Sequence, residues 1–135
     1  MEPVARPGID LLAVGIGGAL GAILRYTTTQ AVARLDSLPA YAPVFGVNMV
    51  GSFLIGVLAA GLSTSGPGWS LFLMTGVLGG FTTFSSFSLD NMRLIREGHW
   101  GPMLTNVLAQ CVLGVLLCAA GYALAGRLWP GSSGT

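Results

Sequence analysis

Lysine is absent from this chain, histidine occurs once, and charged residues of both signs make up only 8% of its 135 residues. A water-soluble globule carries about a quarter of its residues as charged groups. A chain that is 53% hydrophobic and this poor in charge is therefore read as a membrane protein. Its six basic residues are all arginine and the formal charge is +1, which leaves no basic face for nucleic acid. The lone His99, in "REGHWGP", has no second ligand or paired nucleophile beside it. No enzyme site is expected, and His99 is read as an interfacial residue next to Trp100. The only two cysteines, Cys111 and Cys118, lie in one apolar run, where a helix separates them by about 10 Å. That is too far for an intrachain disulfide, and both are read as small apolar side chains.

What the chain does contain is four apolar runs, at residues 11–33, 44–62, 71–89 and 103–126. Each is near the ~20 residues that cross a ~30 Å hydrocarbon layer as a helix. The segments between them, "RLDSLPAYAP", "STSGPGW" and "DNMRLIREGHWGP", are rich in Pro, Gly and polar residues that end helices. All are short, so the expected fold class is an all-α membrane protein of four transmembrane helices in a single domain spanning 1–135. The first run continues past Arg25 without a small-residue cleavage pattern and is expected to be retained as a span. The tail "WPGSSGT" is expected to be frayed.

Four spans place Arg6 and Arg127 on one side, and Arg34, Arg93 and Arg96 on the other, with Arg25 unassigned. This positive-inside bias is weak. Two readings follow: both orientations are populated, as an antiparallel dimer requires, or the small margin still fixes one topology. The 21 glycines concentrate inside the spans, as at Gly15, Gly17, Gly18 and Gly21 in the first and Gly46, Gly51 and Gly56 in the second. They permit close helix–helix approach. Four thin helices enclose little space, so a polar pathway is expected where two subunits meet.

The third run holds the most informative stretch, "GVLGGFTTFSSFSLD" from Gly76 to Asp90. Gly79-Gly80, Phe81 and the β-branched pair Thr82-Thr83 predict a break in the middle of the span. Broken backbone at membrane depth belongs inside protein or along a cavity, and it frees carbonyls able to coordinate a cation. The alternative is a Gly-rich packing surface with hydroxyls bonded back one turn. Beyond the break, Phe84, Phe87, Ser88 and Asn91 share a helical face. Such a stripe packs as core or serves as a conduit, because aromatic ring edges are electropositive and, with hydroxyl donors, replace part of an anion's hydration. Asn48 in the second span either bonds across helices or donates to a permeant ligand. Asn106 and Gln110 stand one turn apart in the fourth, with Thr105 adjoining. Donors abound, but no carboxylate lies at mid-membrane, which favours passive permeation over proton-coupled pumping.

Three segments, "GGALGAILRY" (Gly17 to Tyr26), "VNMVGSF" (Val47 to Phe53) and "GGFTTFSSFS" (Gly79 to Ser88), resemble the signature segments of the Fluc fluoride channels, also called the CrcB family, in order and spacing. The resemblance implies a fluoride-specific channel in the bacterial inner membrane that exports fluoride passively and protects the cell. It implies a dimer of antiparallel four-span subunits, with fluoride pathways at their interfaces. It also implies a central structural sodium ion held by the carbonyls of Gly79 and Thr82, pathway rings at Phe84 and Phe87, and a pore amide at Asn48. Ser88, and less directly Ser85, belong to the same polar track. Arg25 is implied in a vestibular or structural part. Where similar proteins carry small hydroxyl residues along the fourth span, this chain has Asn106 and Gln110, both taken as pathway candidates. Competing functions are a non-conducting partner subunit of a heterodimeric channel and a small proton-coupled multidrug exporter. The exporter resembles a mechanism needing an acidic residue within the first span, where only Asp10 stands at the edge.

Overall fold

The computed structural model describes residues 6–62 and 66–129. Among them the chain is helical throughout, with four stretches long and apolar enough to cross a membrane and no strand. Helix α1 spans Pro7–Ala33, α2 Ala42–Gly61, and the third crossing runs from Pro67 to Arg96. That crossing is split into α3 (67–81) and α4 (Phe84–Arg96), and α5 follows as Trp100–Leu128. The expected fraying of the tail and the start of the second loop, residues 130–135 and 63–65, lie outside the described residues.

Local chemistry accounts for the helix ends. Pro7 and Pro67 open α1 and α3 at positions where a missing N–H costs nothing, and Asp10 sits in the first turn of α1, where the helix dipole favours a negative charge. At the other end of α4, Gly98 takes φ 77°, a left-handed conformation that glycine adopts freely. This lets His99 N–H donate to the Leu94 carbonyl (2.8 Å) and Gly98 N–H to that of Ile95 (3.0 Å). The result is a Schellman stop that turns the chain directly into α5. His99 is exposed and lies 3.3 Å from Glu97.

Lateral packing is backbone on backbone. A Cβ at Gly17 would strike the Phe72 carbonyl, one at Gly21 that of Val77, and one at Gly80 that of Gly18, so α1 lies directly against α3. Gly56 and Gly121 do the same for α2 on α5, against the carbonyls of Cys118 and Phe53. Gly15, Gly18 and Gly46, grouped with them in the sequence, have no neighbour within 4 Å of a Cβ position and are not packing contacts of that kind. Because close approach replaces side-chain interdigitation, the core is small: Val47, Ala60, Leu78, Phe87 and Ala125. Leu11, Ile23, Val115 and many other large apolar side chains face outward, which is a stable arrangement only with hydrocarbon as the solvent.

The interruption of the third crossing falls on the threonines. Gly79, Gly80 and Phe81 are helical, while Thr82 (φ −83°, ψ 158°) and Thr83 (φ −152°, ψ 117°) are extended. Gly80 serves the contact with α1, Gly79 lies on the open side, and the threonines carry the break. Ahead of it, Leu71–Leu78 is wound as a π-helix, a local widening that is uncommon and concentrates at functional sites.

Candidate functional site

A continuous α-helix would send the Thr83 N–H to the Gly79 carbonyl and the Ser86 N–H to the Thr82 carbonyl. Both donors are diverted. Thr83 N–H donates to Asn48 Oδ1 at 2.9 Å, and Ser86 N–H donates to Thr83 Oγ1 at 3.1 Å, which makes Thr83 the N-cap of α4. The two carbonyls singled out in the sequence are thus among those that lose their helical N–H partner at the break. Gly79 is exposed and Thr82 half-buried. The Thr82 N–H and hydroxyl both return to the Leu78 carbonyl at 3.0 Å, so the side chain closes the preceding turn and its carbonyl is left for other partners.

Asn48, on α2, clamps the extended segment from the side. Its Oδ1 accepts the Thr83 N–H, and its Nδ2 donates to the Thr83 carbonyl (3.1 Å) and to Gln110 Oε1 (2.8 Å). Both amide protons of Asn48 are therefore engaged within the subunit. From Gln110 the bonds continue. Gln110 Nε2 donates to Asn106 Oδ1 (3.1 Å), Asn106 Nδ2 to Asn91 Oδ1 (3.0 Å), and Asn91 Nδ2 to the Phe87 carbonyl (2.8 Å). Four amides from α2, α4 and α5 are joined in one line behind the break.

A cleft of about 380 Å³ opens in front of it. Asn48, Gly79, Thr82, Phe84, Phe87 and Gln110 all line this cleft. Phe84 stands out from the subunit at 79% exposure, whereas Phe87 is 8% exposed; their ring centroids are 5.4 Å apart at an interplanar angle of 43°. The expected common face of Phe84, Phe87, Ser88 and Asn91 is thus split between surface and interior. Ser88 is exposed and donates to the Phe84 carbonyl (2.9 Å), and Ser85 contacts the Thr83 hydroxyl at 3.2 Å. Asn106 is 1% exposed and lies behind Gln110 rather than at the cleft wall. Arg25 remains on α1, half-buried, and is not among the residues of the cleft. Sequence reasoning placed Thr83 in the break but did not give it the N-cap, although threonine at the start of a new helix is a favoured capping residue. It placed Asn91 only on a face, and nothing local reveals its bond to Asn106 across 15 residues.

Backbone that breaks at two extended residues, is held there by amides, and faces a cleft where polar groups stand among apolar side chains defines, within a four-span helical protein, a membrane protein with polar groups gathered at its broken span. The chain belongs to the CrcB-like family: the profile described as "CrcB-like protein, Camphor Resistance (CrcB)" matches residues 12–122. It is 42% identical over 122 residues to a protein of Sulfurovum sp. (strain NBC37-1) named "Fluoride-specific ion channel FluC", covering 88% of this chain and 95% of that one. Proteins of the same name from Cereibacter sphaeroides (strain ATCC 17029 / ATH 2.4.9) and Agrobacterium fabrum (strain C58 / ATCC 33970) are 46% and 41% identical over 124 residues each. The first match covers 88% of this chain and 89% of its relative, the second 90% and 99%. These relatives are named as ion channels and not as enzymes, and the chain is a multi-pass membrane protein of a bacterial family.

Proposed function

We propose that the chain is a fluoride-specific channel subunit that lets fluoride leave the cell passively across the inner membrane. The observation that carries this reading is the cleft itself, where the rings of Phe84 and Phe87, the amides of Asn48 and Gln110 and several hydroxyls gather among apolar side chains, with no carboxylate among the lining residues. Ring edges and N–H donors solvate a small anion without a fixed positive charge that would trap it. A cell acquires fluoride as the neutral acid and holds it as the anion, so a passive path for the anion suffices for relief.

The working form is an antiparallel dimer, homomeric or with a related chain of opposite orientation. The weak arginine bias motivates this, as does Phe84, which at 79% exposure presents its ring beside the break to whatever adjoins the subunit. A single cysteine at exposed Gly68, introduced with Cys111 and Cys118 replaced, is expected to be labelled from both sides of the membrane. Labelling from one side only would leave the heteromeric version.

The carbonyl oxygens of Gly79 and Thr82 fit a structural sodium ion at the centre of that dimer. They are hard oxygen donors at the end of a half-helix, relieved of their helical partners. When bound, such an ion supplies a fixed positive charge that holds the two breaks in register. A Cβ at Gly79 meets only the Met74 carbonyl, at 3.8 Å. Gly79→Val is accordingly expected to keep the subunit folded while lowering dimer yield, read by size-exclusion chromatography.

Expression in a bacterium made fluoride-sensitive by deletion of its own exporter tests the function. The native chain is expected to restore growth on fluoride. Phe84→Ile and Phe87→Ile, which keep apolar volume but remove the ring edge, are expected to accumulate in the membrane and fail to restore it. Rescue by both variants would show that the rings are packing and that the pathway lies elsewhere.

A further inference from the structure

We infer that Gln110 provides the amide donor in the cleft, and that Asn91 and Asn106 are positioning residues that hold it there through a one-directional line of amide hydrogen bonds. The inference rests on the fluoride reading for its ligand, but the line itself is a property of the fold.

The direction of the line is set at both ends by backbone groups that have no choice. The Thr83 N–H can only donate, so Asn48 must turn its oxygen toward it and its nitrogen toward the Thr83 carbonyl and Gln110. The Phe87 carbonyl can only accept, so Asn91 must turn its nitrogen toward it and its oxygen toward Asn106. Both constraints demand the same polarity through Gln110 and Asn106, and no amide can flip without opposing two like groups.

Donor counting then assigns the roles. Asn48 has two amide protons and two acceptors, so none is left for a ligand. Gln110 gives one amide proton to Asn106 and, among the described residues, has no acceptor for the other. It lines the cleft, whereas Asn106 and Asn91 are buried behind it. An amide whose rotamer is fixed by bonds at both its oxygen and its nitrogen loses little freedom when it meets an ion, which is how a neutral donor becomes selective.

Two measurements test this. In flux assays on reconstituted protein, Gln110→Met preserves length and volume but removes the donor, and is expected to lower fluoride flux by about tenfold or more, the effect of losing a hydrogen bond to an ion. Gln110→Ser leaves more space but restores a hydroxyl donor, and is expected to conduct better than Gln110→Met. The opposite order would assign Gln110 to packing and overturn the proposal. In NMR spectra of the native protein, fluoride is expected to move the Gln110 side-chain amide protons and leave those of Asn48 in place. Asn91→Leu is expected to shift the Gln110 resonances before any fluoride is added. A response at Asn48 with Gln110 silent would overturn the donor assignment, and Gln110 resonances unmoved by Asn91→Leu would overturn the line. A native protein that passes no fluoride would sink the channel reading separately, while the Asn91→Leu spectra would still decide whether the line exists.

Discussion

Asn48→Asp is expected to abolish fluoride flux while leaving the subunit helical and inserted in the membrane. Two effects act together. The substitution replaces a donor by an acceptor opposite the Thr83 carbonyl and Gln110 Oε1, so two bonds that hold the break become repulsions. It also places a negative charge on the wall of an anion path. Two unit charges about 4 Å apart at an effective dielectric near ~20 repel by ~4 kcal/mol, which corresponds to about a thousandfold in rate. A fluoride electrode reading efflux from vesicles, beside a size-exclusion trace of the same preparation, checks the result. Flux within tenfold of the native protein would mean that the ion does not pass Asn48.

The second large effect is expected at Gly80, one residue from a glycine that has room for a side chain. A Cβ there meets the Gly18 carbonyl, the Gly18 Cα (3.1 Å) and the Ala22 nitrogen (3.1 Å). These are backbone atoms of α1 and cannot rotate away as a side chain would. Gly80→Val should therefore push α1 off the third crossing and leave little monodisperse protein after extraction. Gly79→Val, on the open side, should extract as folded subunit with only the share of dimer lowered, and Gly15→Ala, with nothing within 4 Å, should be neutral. Equal yields from Gly80→Val and Gly79→Val would contradict the backbone contact between α1 and α3.

The four crossings were legible because lipid imposes a simple pattern: long apolar runs, few charges, and Pro, Gly and polar residues between them. The break was legible in kind but not in position. Glycine pairs and threonine pairs both weaken a helix, and the sequence does not say which is used for packing. The structure assigns Gly80 to contact with α1 and Thr82-Thr83 to the extended segment. The π-helical turns of Leu71–Leu78 left no sign in a run of ordinary apolar residues. At the site, Asn48, Phe84, Phe87 and Gln110 stood out because polar or aromatic side chains at membrane depth need a reason. The bonds among Asn48, Gln110, Asn106 and Asn91 did not, because they join positions as much as 62 residues apart. Nor does a helical face reveal that Phe84 is left exposed while Phe87 is buried, since that depends on tertiary packing.

Fluoride release from vesicles loaded with potassium fluoride tests the central claim most directly. Release from protein-containing vesicles alone should be slow, and it should become rapid once a potassium ionophore lets the cation leave with the anion, because a passive anion path must stop as charge builds up. Vesicles loaded with potassium chloride should release little chloride under the same conditions. Rapid fluoride release without the ionophore would reveal coupled proton movement, and equal release of chloride would show an unselective path; either result would contradict a passive, fluoride-specific channel.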